Sequence, residues 1–295
     1  MAKKKHMSSK EDDDDHLLAM KQYYKRCQEN NIIVQPFFLT FDNNLLYICQ
    51  DRVNITQALA LNEYLENTRL VEDKRIFKLV IDQCLMKDEV FAEILDGCYK
   101  QCQFNQKGEI EVQYLTTIVY NQGEFGPHTL KILKKLTPNL IEISFNNISE
   151  SGGFNSKVLL SAIETIAKEG KMLMKLRISN VFMNNQPIVD GLCEIIKNCD
   201  VLTTIDFSWS SIPTSKLVDL AEALMDRVYT MRSIDFSYNK LAPEDLSDED
   251  NYVVEFIDKM CEFLEEALVI NHLKLSGMFS LRIRDQLYKI LKKAI

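Results

Sequence analysis

The sequence predicts an α/β solenoid: short parallel strands stacked into one curved sheet, helices along its outer side, and a helical extension at the amino end. Three observations carry that prediction. Seven segments, starting at 76, 115, 140, 173, 202, 231 and 270, place apolar residues at the same offsets. The starts at 173, 202 and 231 are evenly spaced, and the last two segments contain TTIDFSWSSI and RSIDFSYNKL. Between the segments lie amphipathic runs of helical length, so strand, loop and helix recur as a unit.

The clearest segment is Met231–Leu241, with Met231, Ile234, Phe236, Asn239 and Leu241 at offsets 1, 4, 6, 9 and 11. Offsets 4 and 6 put two apolar side chains on one face of a short strand. Asn239 turns the chain out of that strand by bonding free backbone groups, and Leu241 returns to the core. Leu202, Ile205, Phe207, Ser210 and Ile212 repeat the spacing, as do Ile76, Leu79, Ile81, Cys84 and Met86. Further copies are Leu173/Leu176/Ile178/Val181/Met183 and Leu115/Ile118/Tyr120/Gly123/Phe125. Leu140/Ile143/Phe145/Ile148 and a degraded Ile270/Leu273/Leu275/Met278 complete the series.

This spacing, LxxLxLxxNxL with cysteine as an alternative to asparagine, resembles the leucine-rich repeat of the ribonuclease-inhibitor-like class. The resemblance covers about Ile76–Ile295. The asparagine of the family survives at Asn239 alone. The resemblance implies a parallel sheet on a concave side, non-catalytic protein binding, and membership of larger cytoskeletal or ciliary assemblies. Ran GTPase-activating proteins share the repeat class, so regulation of a small GTPase is the alternative it implies. No stretch here matches the functional residues of those regulators.

The predicted organisation has three parts. Residues 1–30 are a polar tail and an amino-terminal helix over Asp12–Gln28, with acids at its front and Lys21, Lys25 and Arg26 at its rear, as a helix dipole favours. Leu17, Leu18, Met20, Tyr24 and Cys27 supply its apolar contact; the helix either covers the first repeat or docks another chain. Lys3–Lys5 form a short basic run. Residues 31–75 are a capping unit: IIVQPFFLTF is strand-rich, Asp42-Asn43-Asn44 reads as a turn, and ITQALALNEYLENT reads as a helix. Residues 76–295 are the repeat domain. Within it, Thr214 is expected to cap the helix Thr214–Val228, Ser156 and Gly170 to bound another, and Pro187 to sit in a first turn. LRIRDQLYKILKKAI closes the domain as a cap helix with a basic outer face. The acidic stretch Glu244–Asp250 has no glycine turn of the kind a calcium loop needs and reads as a solvated loop.

Composition narrows function. With 295 residues and 46% hydrophobic content the chain can bury a large core. A net charge of −8 argues against a general nucleic-acid binder. The eight cysteines form no CxxC pair, and the charged amino terminus lacks the apolar core of a signal peptide, so the thiols are expected reduced in a cytoplasmic setting. No apolar run approaches the ~20 residues of a membrane span. None of the four histidines stands at metal-ligand spacing, and phosphate-loop and nucleophile motifs are lacking. The expectation is no enzyme, no cofactor and no metal.

The expected binding surface is the sheet face formed by offsets 3, 5 and 7, with offset 8 at the strand exits. Two features mark it. Trp209, the single tryptophan, and Tyr238 are neighbours in the offset-8 column. Asp206 and Asp235 face each other across adjacent strands, which costs roughly 0.2–1 kcal/mol, with Arg177 and Lys274 flanking to relieve them and Arg232 as a further expected binding residue. Aromatic anchors beside acids fit a basic group on a partner protein; alternatively the rings stack over the sheet edge and the acids are solvated.

Overall fold

The computed structural model describes residues 9–31, 44–49, 52–71, 74–150, 157–239, 241, 249–278, 288 and 292. The Lys3–Lys5 run, the IIVQPFFLTF stretch, Ser156, Glu244–Asp248 and nearly all of the expected cap helix lie outside them. The chain divides into two compact units, Met1–Leu136 and Thr137–Ile295.

The first unit is built from α1 (Ser9–Glu29), β1 (Leu45–Cys49), α2 (Ile55–Asn67), β2 (Lys78–Asp82), α3 (Asp88–Lys100), β3 (Gln103–Phe104), β4 (Ile110–Val112), β5 (Thr117–Phe125) and α4 (Pro127–Leu136). Strands β1, β2 and β5 run parallel, with Ile48 opposite Ile81 and Ile81 opposite Tyr120. Leu46, Ile48, Leu79, Ile81, Ile118 and Tyr120 are fully buried beneath the helices. Burying such side chains stabilises by about 1.5–3 kcal/mol each. Tyr120 stacks on Phe91 of α3 at 3.9 Å and donates its hydroxyl to the carbonyls of Met86 and Glu124. Gly123 makes room for that hydroxyl: a Cβ there would meet Tyr120 Oη at 1.9 Å.

Strand β1 is not among the seven expected starts, yet Leu46 and Ile48 occupy its offsets 4 and 6 and α2 follows as expected. Asn54 caps α2 by accepting from the Gln57 N–H, while Gln57 accepts from Asn54 N–H. The antiparallel β3–β4 hairpin, turned at Asn105–Gly108, fills the long interval between the starts at 76 and 115. Helix α1 buries Ala19, Tyr23 and Cys27, a strict i, i+4 stripe, and leaves Leu17, Leu18 and Tyr24 exposed. Of the expected contact residues Cys27 is buried and Met20 half-buried, while the rest of the contact face is turned to Ala19 and Tyr23, and Tyr23 packs edge-on to Tyr64 of α2.

The second unit carries β6 (Glu142–Glu150), α5 (Lys157–Glu169), β7 (Lys175–Ser179), α6 (Gln186–Asn198), β8 (Thr204–Asp206), α7 (Thr214–Ala223), β9 (Ser233–Asp235), α8 (Glu249–Glu266) and β10 (His272–Lys274). All five strands are parallel, in that order. Ile143, Phe145, Leu176, Ile178, Ile205, Phe207, Ile234 and Phe236 are buried, as expected. Phe207 stacks over Phe236, which meets Phe256 of α8 edge-on. Leu273 and Leu275, expected in the core, are only half-buried, because β10 has a strand on one side only among the described residues. Pro213, not Thr214, is the N-cap of α7, and a 3-10 turn, Leu224–Arg227, follows it. Arg227 is buried there and donates to the carbonyls of Ile196 and Lys197 at the end of α6, with Asp200 3.0 Å away.

Candidate protein-binding face

The strand exits share one backbone device. Gln83, Gln122, Asn147, Asn180, Trp209, Tyr238 and Gly277, the whole offset-8 column, have φ between 52° and 69°. This left-handed turn costs an L-residue roughly 1–2 kcal/mol. The N–H groups of Asn180, Trp209 and Tyr238 then donate to the carbonyls of Ser208, Ser237 and Ser276 in the next unit of the stack, at 2.9, 2.9 and 2.7 Å. Successive offset-8 side chains are thereby held side by side.

Offset 9 completes the exit. Asn239 is fully buried, donates to the carbonyls of Phe207 and Phe236, and accepts from the Ile212 N–H at 3.0 Å. Ser210 does the same work with its hydroxyl to Ile178 and Ser208, and Cys84 with its thiol to Ile48 and Asp82. In each case one bond reaches the preceding strand at its offset-6 carbonyl.

Trp209 and Tyr238 form a parallel stack, centroids 3.9 Å apart and planes at 19°. They are 56% and 44% exposed. Gly277 lies beside Tyr238, where an added Cβ would approach the ring at 2.5 Å. On the Trp209 side of the column, Asn180 donates its amide to Asn147 at 3.1 Å.

The acids are more occupied than their sequence position suggests. Asp206 and Asp235 do face each other in register. Asp206 accepts from the N–H and hydroxyl of Ser208, and Asp235 from the N–H of Ser237. Lys274 lies 3.3 Å from Asp235. Arg177 is opposite Asp206 in register, yet its guanidinium pairs with Glu142 at 2.7 Å, and Lys175 lies 3.6 Å from the same carboxylate. Glu142, at offset 3 of its own strand, is the stronger competitor because its side chain is mostly sheltered from water. Arg232 is exposed at the entry of β9, where its carbonyl accepts from Asn271 and His272. The offset-7 residues Ser208 and Ser237 are buried, not displayed on the face, because the chain has already begun its turn there.

In the first unit the corresponding face is different: Val80 and Val119 stand at offset 5 as the spacing predicts, and Tyr47, on the unexpected strand β1, extends the row in register. Tyr47 is 40% exposed. The Tyr47 phenol is pushed up to about 12, first by its hydrogen bond with Cys49, then by burial and the neighbouring Cys49 and Asp82. Asn121 donates to Asp82 at 3.1 Å. The alternation in LLYIC was the available signal.

Burial raises the thiols of Cys102, Cys193 and Cys199 to about 11, 12 and 11, far from the thiolate that nucleophilic chemistry requires. Among the described residues no group of three His, Cys, Asp or Glu could hold a metal ion, and no helix is long and apolar enough to cross a membrane. No protein-family model matches this sequence, and no curated protein matches it either.

Proposed function

We propose that this protein is a non-catalytic interaction scaffold of the ribonuclease-inhibitor-like leucine-rich repeat class, a curved solenoid serving as a subunit of a larger intracellular assembly with a cytoskeletal or ciliary setting. Partner proteins bind its open strand face, and Trp209 and Tyr238 anchor them. The repeat class is supported by the parallel strands, the left-handed strand exits and the offset-9 bridges of Asn239, Ser210 and Cys84 to the preceding strand. The single observation that carries the binding reading is the exposed aromatic stack, kept in a backbone conformation that glycine would adopt without cost.

The test is cross-linked capture from the source cells with identification of the bound chain, using wild type and Trp209→Ala. Truncating an aromatic anchor is expected to weaken the recovered complex by ~2 kcal/mol, about 30-fold, with a smaller effect on the melting temperature. A Trp209→Ala protein that melts earlier and still holds its partner places the binding site elsewhere. A small GTPase as the captured chain would move the reading to a GTPase regulator.

A further inference from the structure

We propose that α1 is a self-association helix, which pairs antiparallel with α1 of a second copy of this chain. The inference stands apart from the Trp209–Tyr238 reading and rests on the outer side of the helix.

Helix α1 uses one side against α2. Ala19, Tyr23 and Cys27 are buried there, and Arg26 and Gln22 reach across the seam to Glu63 and Asn67 at 2.8 and 3.1 Å. The opposite side is open among the described residues, and it carries apolar groups. Leu17 is 50% exposed and Leu18 54%, and Tyr24 is exposed as well. Residues seven apart return to the same side of a helix, so Leu17 and Tyr24 share one column, with Lys21 between them.

The charges select the occupant. Lys21 and Lys25 are both exposed and stand at i, i+4, where like charges repel. Lys25 has Glu29 3.7 Å away, but at an exposed place where such a pair contributes little. Lys21 has no acid three or four residues away along the helix. At the other end of α1, Glu11–Asp15 place five acids in succession, with Glu11 and Asp15 again at i, i+4. The helix dipole favours acid at that end, yet its roughly half a charge does not answer five. The helix is thus acidic first, apolar in its middle and basic last. A parallel copy would set like against like. An antiparallel copy sets each acidic run against Lys21 and Lys25 of the other and brings the two Leu17–Leu18 pairs together near a two-fold axis. An acidic partner would answer the lysines alone and a basic partner the acids alone; a second copy answers both in one contact.

Sedimentation velocity of the full chain between ~1 and ~300 µM tests the pairing. One pair of helices offers less area than the ~1,200 Å² of a stable interface. The expected result is a dimer that forms in the upper part of that range at ~50 mM salt and dissociates at ~500 mM. Lys21→Glu with Lys25→Glu should weaken it by about 10-fold or more, and so should Asp13→Lys with Asp14→Lys. An equimolar mixture of these two variants should dimerise again. Leu17→Glu with Leu18→Glu should abolish the dimer. All three double variants leave Ala19, Tyr23 and Cys27 in place, and circular dichroism with the melting temperature checks that each stays folded. A wild-type chain that is monomeric throughout gives this face to another occupant and overturns the proposal. A dimer indifferent to the double variants, or charge variants that stay monomeric when mixed, overturns it too. Trp209→Ala should leave the dimer intact; a dimer lost in that variant would place the contact on the strand face instead.

Discussion

The open strand faces of the two units carry opposite chemistry on the same backbone plan. In the first unit the offset-5 column reads Tyr47, Val80, Val119, an apolar strip with one phenol bound to its neighbours. In the second it reads Ser144, Arg177, Asp206, Asp235, Lys274, and those charges are largely answered from within, Arg177 by Glu142 and Asp235 by Lys274. Beneath both, offsets 4 and 6 are uniformly apolar and buried up to β9. The shared backbone plan thus constrains the buried layer and the strand exits, not the open offset-5 face. The open face is free to vary because a side chain there changes little in folding free energy.

The largest effect should follow from breaching the buried layer. Phe236→Ala is expected to cost about 3–5 kcal/mol and Ile81→Ala about 2–5, whereas Val80→Ala on the open face of the same strand as Ile81 should cost much less. Denaturant unfolding measures all three. A Val80→Ala loss equal to that of Ile81→Ala would break the distinction between layers.

The second comparison is between the exits. Asn239→Ala strands the Ile212 N–H and the Phe207 carbonyl in a fully buried place, leaves the Phe236 carbonyl only the backbone N–H of residue 239, and should cost about 2–3 kcal/mol. Cys84→Ala removes only weak thiol bonds and a small side chain, so about 1 kcal/mol or less is expected. Equal losses would mean that the exits are set by backbone alone.

Acid should sharpen the picture in the first unit. Asp88 is buried at the head of α4, accepting from the N–H groups of Gly126, His128 and Thr129 and from His128 Nδ1. Burial pushes its carboxyl up, but the bonds from Thr129 and His128 outweigh that and hold it below its ordinary value. A folded-state value below the unfolded one means that Asp88 stabilises fully above about pH 4–5, and that this is lost as pH falls through the unfolded and then the folded value. Asp88→Asn should lower stability by about 1–2 kcal/mol at pH 7 and flatten the acid limb. An unaltered limb would assign the acid sensitivity to other carboxylates.

The smallest effect is expected on the charged face. Lys274 is two-thirds exposed, so Lys274→Ala should change stability by less than about 1 kcal/mol, and less still in high salt. A larger, salt-resistant loss would show that the Asp206–Asp235 pair depends on this cation.

Much of this arrangement was legible in the sequence because period and burial are coupled. Ile205, Phe207, Ile234 and Phe236 could sit nowhere else, and Asn239 does what its offset requires. Three things were not legible. Strand β1 was hidden because Asn44, at its entrance, reads as part of a turn, and indeed has φ 61°. The left-handed column was hidden because Gln, Asn, Trp, Tyr and Gly share no property except their position. The pairing of Arg177 with Glu142 instead of Asp206 was hidden because register gives proximity, while the choice between two acids depends on side-chain reach and burial.

The left-handed exits have one more consequence, for how this surface can be rewritten. At each of them an L-residue sits in a backbone shape natural to glycine or to a D-residue, and six of the seven described exits nevertheless carry a side chain. Replacing an exit residue by glycine therefore releases conformational strain at the moment it deletes a contact, so the net change in melting temperature is the difference of the two. A D-amino acid installed by chemical ligation separates them, because it removes the strain and keeps a side chain. The column is thus a row of positions where surface chemistry and backbone strain are exchanged one for the other, with the hydrophobic layer beneath left untouched.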